Sequence, residues 1–288
     1  MFDRFAQSVT YQKLKLDAPV TVTVKRLDQI HPQISGNKFF KLKYNFLEAK
    51  QQGFKKVLTF GGAYSNHIAA TAYAAHLFGF ASVAMIRGEE LKHKALNHTL
   101  AMAQQLGMQL HFISRQQYRE KTSPVFLEQL QQHYPEHYLI PEGGTNALAI
   151  QGCKEILTAE DRQNYDLICC AVGTGGTISG LIEASAEHQH ILGFSALKGD
   201  FLQHDVQQWI SKSNWQINDA YCCGGYAKTT PELLQFMQSF EAEHNLPLEQ
   251  VYTAKMMMGL MDLIQQNHFS PDTRILVMHT GGLQGRSN

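Results

Sequence analysis

Several things are scarce in this sequence, and each shortage removes a class of function. Lys+Arg and Asp+Glu balance at 25 each, so no charge excess points to nucleic acid or an anionic membrane surface. No apolar run approaches the roughly 20 residues of a membrane span. The start, Met1-Phe2-Asp3-Arg4, lacks the charged-then-apolar layout of a secretory signal. The five cysteines are an odd number, and Cys169-Cys170 and Cys222-Cys223 are adjacent pairs, which suit neither a disulfide framework nor a Cys-x-x-Cys metal site. Cys169 and Cys170 sit in an apolar run and read as small buried hydrophobes in a reducing compartment. A cytoplasmic location is the expectation. The 14 histidines are scattered, and although His133 and His137 have helical spacing, no Glu follows His133 as in the zinc-helix motif. No metal is expected. Repeats, low-complexity segments and Gly/Ser linkers are missing too, so domain boundaries are weakly marked.

What is present is a chain able to bury a core. Its 288 residues are 44% hydrophobic and 17% charged, enough for one large domain or two smaller ones sharing a cleft. The alternating, β-branched stretch 20–24 predicts a strand. A loop containing Pro32 and Gly36 leads from it to Lys38, and Leu42, Phe46 and Leu47 predict a helix over 40–51. Further strands are expected at 56–60, 81–86, 109–113, 138–140, 167–172, 191–197 and 274–278. Helices are expected at 66–78, 94–106, 124–133, 147–158, 178–186, 201–210, 231–244 and 255–265. The uninterrupted apolar run 167–172 fits a strand covered on both faces. This alternation predicts an α/β fold with a mainly parallel sheet. In such sheets sites form outside the carboxyl ends of strands, and Lys38, Ser65, Gly143, Gly173 and Thr280 all follow expected strands.

Gly173-Thr174-Gly175-Gly176-Thr177 follows a strand and opens a helix. Successive backbone N–H groups and the positive helix end make an anion cradle there. There is no Gly-Lys-Ser/Thr for a nucleotide P-loop, and Ile178 stands where a third dinucleotide glycine would be. A small phosphate, with no adjacent lysine, fits better. Phe60-Gly61-Gly62-Ala63-Tyr64-Ser65-Asn66-His67 is a second strand-to-helix turn in which Ser65 or Asn66, taken alone, reads simply as an N-cap. Lys38 taken alone reads as a surface lysine, and Lys41, three residues on, shares its helical face. Periodicity does not choose between them.

Together, Ser-Gly-Asn-Lys38 with Lys41-Leu42, Gly-Ala-Tyr-Ser65-Asn66-His67, Pro-Glu-Gly-Gly-Thr-Asn146, Gly-Thr-Gly-Gly-Thr177 and His-Thr280-Gly-Gly282 occur in a family's order. The chain resembles, from about Val20 to Gly285, the pyridoxal-phosphate enzymes comprising D-cysteine desulfhydrase and 1-aminocyclopropane-1-carboxylate (ACC) deaminase, of the tryptophan-synthase β-subunit fold. The resemblance implies a two-domain α/β protein with mainly parallel, twisted sheets flanked by helices, the fold-type II arrangement. Residues 1–40 and 152–288 would form the larger, phosphate-binding domain and 41–151 a smaller, mobile, substrate-side one. It implies pyridoxal 5'-phosphate as cofactor, a small amino acid as substrate and a homodimer. Lys38 would bind the cofactor covalently. Asn66 would meet the ring hydroxyl, and Gly173, Thr174, Gly175, Gly176 and Thr177 would cradle the phosphate. Thr253 or Thr280 would meet the ring nitrogen. Ser65 would meet the substrate carboxylate or a transferring proton, with Tyr64, Asn66 and His67 also on the substrate side. Gly224-Gly225-Tyr226 and Val251-Tyr252-Thr253-Ala254-Lys255 resemble the family's two tyrosine segments, making Tyr226 and Tyr252 the expected active-site phenols.

ACC deaminases place Glu after the second tyrosine and Leu in the closing His-x-Gly-Gly, where this chain has Thr253 and Thr280, as the desulfhydrase-like relatives do. A hydroxyl leaves the ring nitrogen less firmly protonated than a carboxylate would, which suits β-elimination of a good leaving group. The resemblance thus implies elimination of D-cysteine to pyruvate, ammonia and hydrogen sulfide. A deaminase or dehydratase on the same scaffold is the nearest rival; an idle cofactor carrier and a nucleotide-binding protein stand further off. The chain departs from the family at Phe40, Lys43, Tyr64 and Ala254, and its amino-terminal arm is shorter. The ring of Tyr64 is expected to narrow the substrate pocket.

Overall fold

The computed structural model describes residues 1–286. Its strands are β1 (Tyr11–Lys13), β2 (Thr21–Lys25), β3 (Lys56–Gly61), β4 (Ala81–Arg87), β5 (Met108–Ile113), β6 (His137–Ile140), β7 (Leu167–Val172), β8 (His190–Ser195), β9 (Trp215–Asn218) and β10 (Arg274–Met278). Its helices are α1 (Asn37–Gln51), α2 (Asn66–Phe78), α3 (His98–Gln105), α4 (Arg115–Arg119), α5 (Pro124–His133), α6 (Ala147–Lys154), α7 (Ala159–Asn164), α8 (Gly176–Ala184), α9 (Phe201–Gln207), α10 (Pro231–His244) and α11 (Thr253–Gln265). The strands form two sheets, in the orders β1-β2-β10-β7-β8-β9 and β5-β4-β3-β6. Every neighbouring pair is parallel except β1 with β2. No helix among the described residues is long and apolar enough to cross a membrane.

The central strands β10, β7 and β8 of the larger sheet are buried on both faces, as their near-continuous apolar sequences require. In β7, Ile168, Cys170 and Val172 pack with Ile178, Leu181 and Ile182 of α8. Their neighbours Leu167, Cys169 and Ala171 pack instead with Leu233 and Met237 of α10 and Met257 and Leu260 of α11. Cys169 and Cys170 therefore face opposite layers as core atoms, and all five cysteines are free. The smaller sheet rests on α2 and α3 on one side, through Ile68, Ala72 and Leu100. Its other side is covered by Tyr118 and the apolar residues of α5.

Some expectations of local structure are corrected. The helix expected over 94–106 begins at His98, because the side chain of Asn97 caps it by accepting from Leu100 N and donating to Ala63 O. The helix expected to end at Thr158 stops at Lys154, and Thr158 opens α7 through a capping box with Asp161. His133 closes α5 and His137 starts β6, so the two share no helix. Edge strands β1 and β9 were not foreseen; each is short, with a partly polar pattern that periodicity cannot isolate. The boundary positions 40–41 and 151–152 fall inside α1 and α6.

Candidate active site

The sequence expects Lys38 in a loop; it lies instead in the first turn of α1, whose N-cap is Gly36. The reason is the packing of Ser-Gly-Asn-Lys against the chain end. Asn37 N donates to Thr280 O, and Ser35 Oγ donates to Asp28 O. Gly36 has φ of +65°, and a Cβ on it would lie 1.9 Å from Thr280 O, so only glycine allows the two segments to touch. That contact turns Lys38 into a cavity of about 250 Å³, lined by the carboxyl ends of β3, β6, β7 and β10 and the turns that follow them.

One end of the cavity is built for an anion. Gly173 to Thr177 lines it, and α8 opens there with Gly175 as N-cap and no side-chain cap, leaving first-turn amides without intrahelical partners. Around this turn converge Asn37, whose Nδ2 donates to Thr177 Oγ1 at 2.8 Å, and Lys41. Lys41 Nζ donates to Thr145 Oγ1 at 2.8 Å and to Thr174 Oγ1 at 3.1 Å. The loop thus has a lysine after all, brought from α1 through space and invisible in the loop's own sequence. Burial, then the charge of Lys38, lowers the Lys41 pKa to about 7. Lys38, whose Nζ donates to Asn37 Oδ1 at 3.0 Å, is lowered to about 8, chiefly by burial. Two desolvated lysines side by side, one at an uncapped helix start, fit a group that carries both a carbonyl and a phosphate.

The far wall is aromatic. The rings of Tyr226 and Tyr252 meet edge to face with centroids 6.2 Å apart. Burial raises both phenols, Tyr252 well above its ordinary value, so both keep their protons at neutral pH. A Cβ on Gly173 would lie 2.9 Å from Cε1 of Tyr252, so the glycine lets the ring close over the anion turn. Two buried groups hold the phenols. Glu249 accepts the N–H groups of Val251, Tyr252 and Thr253, and burial, outweighing these bonds, raises its pKa. Lys255 donates to the carbonyls of Cys222 and Gly225, both at 2.8 Å, fixing the loop that carries Tyr226.

The third wall is the start of α2. Ser65 is its N-cap, with Oγ accepting from Ile68 N, and Asn66 Oδ1 accepts from Gln284 Nε2 of the chain end. His67 is buried. Thr59 Oγ1 donates its one proton to Ile140 O at 2.8 Å, so the 2.7 Å contact with His67 Nε2 must have the imidazole as donor. That fixes the tautomer and leaves His67 Nδ1 a lone-pair acceptor, buried, without a partner among the described residues. Burial, then the charges of Lys38 and Lys41, holds the imidazole well below its ordinary pKa and hence neutral.

Most of the expected site residues line this one cavity: Lys38, Ser65, Asn66, His67, Gly173 to Thr177, Tyr226, Tyr252 and Thr280. Two do not. Thr253 is fully buried and is not among the cavity-lining residues, its hydroxyl accepting from Glu249 N at 2.8 Å and donating to Glu249 O, whereas Thr280 lines the cavity. Tyr64 points outward, 69% exposed, and does not narrow the pocket. The departures at Phe40, Lys43 and Ala254 also turn away: Phe40 and Ala254 pack into the core, and Lys43 pairs with Asp3 and Glu155. Residues not singled out from sequence are Asn37, Arg87 and Glu142 on the wall and Glu249 behind it. Asn37 and Glu142 lie within the Ser-Gly-Asn-Lys and Pro-Glu-Gly-Gly-Thr-Asn motifs, which carry a signal for them, whereas nothing in the local pattern marks Arg87 or Glu249. Among the described residues no group of three or more His, Cys, Asp or Glu could hold a metal ion.

Comparison with known proteins agrees with this geometry. The family profile described as pyridoxal-phosphate dependent enzyme matches residues 7–281. A Thermotoga maritima protein provisionally assigned as an ACC deaminase is 31% identical over 285 residues, covering 92% of this chain and 89% of that one. The Arabidopsis thaliana mitochondrial bifunctional D-cysteine desulfhydrase/ACC deaminase is 30% identical over 292 residues, covering 91% of this chain and 72% of that one. The crystal structure of an ACC deaminase homologue matches with a TM-score of 0.83 at 25% identity, covering 98% of this chain and 91% of that one. O-ureido-L-serine synthase, 15% identical with a TM-score of 0.69, shares the fold.

Proposed function

Since the chain belongs to the pyridoxal-phosphate-dependent enzymes, we propose that it is a lyase that eliminates the β-substituent of a small amino acid, D-cysteine being the first candidate. Lys38 holds the cofactor covalently, and Asn37, Lys41, Thr174 and the amides opening α8 hold its phosphate. The observation that carries this reading is the convergence, in one cavity, of a desolvated lysine, an uncapped helix start with a second buried lysine, and two protonated phenols. Pyridoxal phosphate supplies an electron sink for the pair left at Cα.

The chain's own groups do the rest. The amides at the start of α2, with Ser65 Oγ, orient the substrate carboxylate. Lys38, displaced from the cofactor by the substrate's amine, has at its lowered pKa of about 8 a usable fraction of free amine at neutral pH, and Nζ takes the Cα proton. The Cβ–S bond breaks with its electron pair on sulfur, and the protonated phenols of Tyr226 and Tyr252 donate hydrogen bonds to the departing thiolate. Water then completes conversion of the remaining carbon skeleton to pyruvate and ammonia. The neutral His67 stays out of proton transfer and presents Nδ1 as an acceptor.

ACC deamination is the second reading, favoured by the names of the Thermotoga and Arabidopsis relatives. Thr280 supports the first: it lines the cavity, at the position where the resemblance implies leucine in ACC deaminases. The two activities separate on incubating the holoenzyme with D-cysteine, L-cysteine and ACC while following sulfide and 2-oxo acid. Sulfide and pyruvate from D-cysteine at a rate well above that of 2-oxobutanoate from ACC supports the lyase. The reverse order assigns the deaminase. We further propose a homodimer and a substrate-side domain that closes over the cavity.

A further inference from the structure

Four charged side chains line the cavity: Lys38, Lys41, Arg87 and Glu142. Three have an assignment or a partner. The two lysines serve the cofactor. Glu142 is neutralised, accepting from the hydroxyl of Tyr118 at 2.5 Å and pairing with Lys121 Nζ at 3.2 Å. Arg87 remains. It closes β4, beside the Gly61–Gly62 turn, since Gly61 pairs with Ile86 across the two strands. Its guanidinium lies over the ring of Tyr118, 5.8 Å from the centroid, and has no hydrogen bond or ion pair among the described residues. A Cβ built on Gly62 would stand 3.7 Å from Arg87 Nη2, so the cation lies along the turn that leads into Ser65.

Five donors in a fixed planar fork, unpaired at a cavity wall, are suited to a carboxylate, sulfonate or phosphate. The proposed reading already gives the cofactor phosphate the Gly173–Thr177 turn with Lys41, and the α-carboxylate the start of α2. Arg87 belongs to neither: it lies beside the Gly62 turn and over Tyr118, and its charge acts on the phenol of Tyr226. In the proposed reading that phenol meets the departing β-substituent, so Arg87 acts on the same group. We propose that Arg87 is a specificity-determining residue that receives a second anionic group, carried on the substrate beyond Cβ, so that the preferred amino acid has an acidic side chain or an acidic leaving group. This rests on the proposed reading of the site and sharpens the substrate class from any small amino acid to an anionic β-substituted alanine.

The test separates the two ideas by using ligands that need no chemistry. Succinate and succinamate are nearly isosteric and differ in one charge. Their binding to the holoenzyme is measured by calorimetry, for wild type, Arg87→Met and Arg87→Lys. Because Arg87 is exposed, solvent screens it, and a preference of roughly fivefold to tenfold for succinate is expected. That preference collapses toward unity in Arg87→Met and is partly restored in Arg87→Lys. Equal affinities in the wild type, or a preference that survives Arg87→Met, overturns the proposal. In parallel, aspartate and asparagine of both configurations are titrated against the cofactor's visible band. If neither these nor D-cysteine changes the band while succinate still depends on Arg87, the lyase reading fails and the anion site stands.

Discussion

Replacing Lys41 by Met removes a cation from the anion end of the cavity while keeping the length of the stem. Lys41 Nζ sits between the hydroxyls of Thr145 and Thr174, at 2.8 and 3.1 Å, and the residue is 2% exposed. A unit charge pair 4 Å apart is worth about 4 kcal/mol at an effective dielectric constant near 20, and the net gain after desolvation falls to about 1.5–3 kcal/mol, as for hydrogen bonds to charged groups. The dissociation constant for pyridoxal phosphate should therefore rise roughly 10- to 150-fold in Lys41→Met. Pyridoxal, which lacks the phosphate, should lose almost nothing. Spectroscopic titration of apoprotein with each compound gives both numbers. Equal weakening of the two, or of neither, refutes the assignment of Lys41 to the phosphate.

The same lysine gives a pH signature. With a folded pKa lowered to about 7 from an ordinary 10.5, the unfolded chain binds more protons between those values. Apoprotein stability therefore rises with pH from about 7 toward 10.5, because folding buries the amine neutral and the cost of removing its proton falls as pH approaches the unfolded value. The urea midpoint should increase from pH 7 to pH 9 in the wild type and increase less in Lys41→Met. The phosphate-dependent part of cofactor affinity should move the opposite way, weakening as pH rises above 7.

Two further substitutions separate wall from support. Thr253→Val should leave the cofactor's visible band and affinity unchanged while lowering stability by about 1 kcal/mol in urea melts, since the hydroxyl bonds only to the backbone of Glu249; a lost or shifted band would return Thr253 to the ring nitrogen. Gly36→Ala combines a strained φ of +65° with a Cβ 1.9 Å from Thr280 O, so it should cost at least about 3 kcal/mol and strip the protein of cofactor. An urea midpoint close to the wild-type value would mean that the α1 start and the chain end are not held together as described.

The centre of the large sheet was legible because β7 is an uninterrupted apolar run of strand length, every residue of it buried, whereas the partly polar edge strands β1 and β9 were not. The turns were legible because glycine is needed where backbone meets backbone, as at Gly36, or where a ring closes on it, as at Gly173. What sequence could not give was distance across the fold. Lys41 stands 104 residues from Thr145 and 133 from Thr174, and no local pattern joins them. Orientation was equally hidden. Thr253 and Thr280 were interchangeable as hydroxyls, and only the start of α11 at Thr253, which hands that side chain to Glu249, separates them. Tyr64 failed for a related reason: it precedes the N-cap of α2, and its ring leaves the cavity although its neighbours line it. Glu249 and Lys255 read as ordinary charges in sequence, because burial is what turns them into supports for the phenols.

The central claim is that Lys38, and not Lys41, carries the cofactor. Borohydride reduction of the holoenzyme, followed by peptide mapping, tests it directly. The account predicts a pyridoxyl mass on Lys38 alone, lost in Lys38→Ala together with the lysine-bound absorbance band and retained on Lys38 in Lys41→Met. A label on Lys41 or elsewhere, or a cofactor-supplied wild type that shows no visible band, contradicts it.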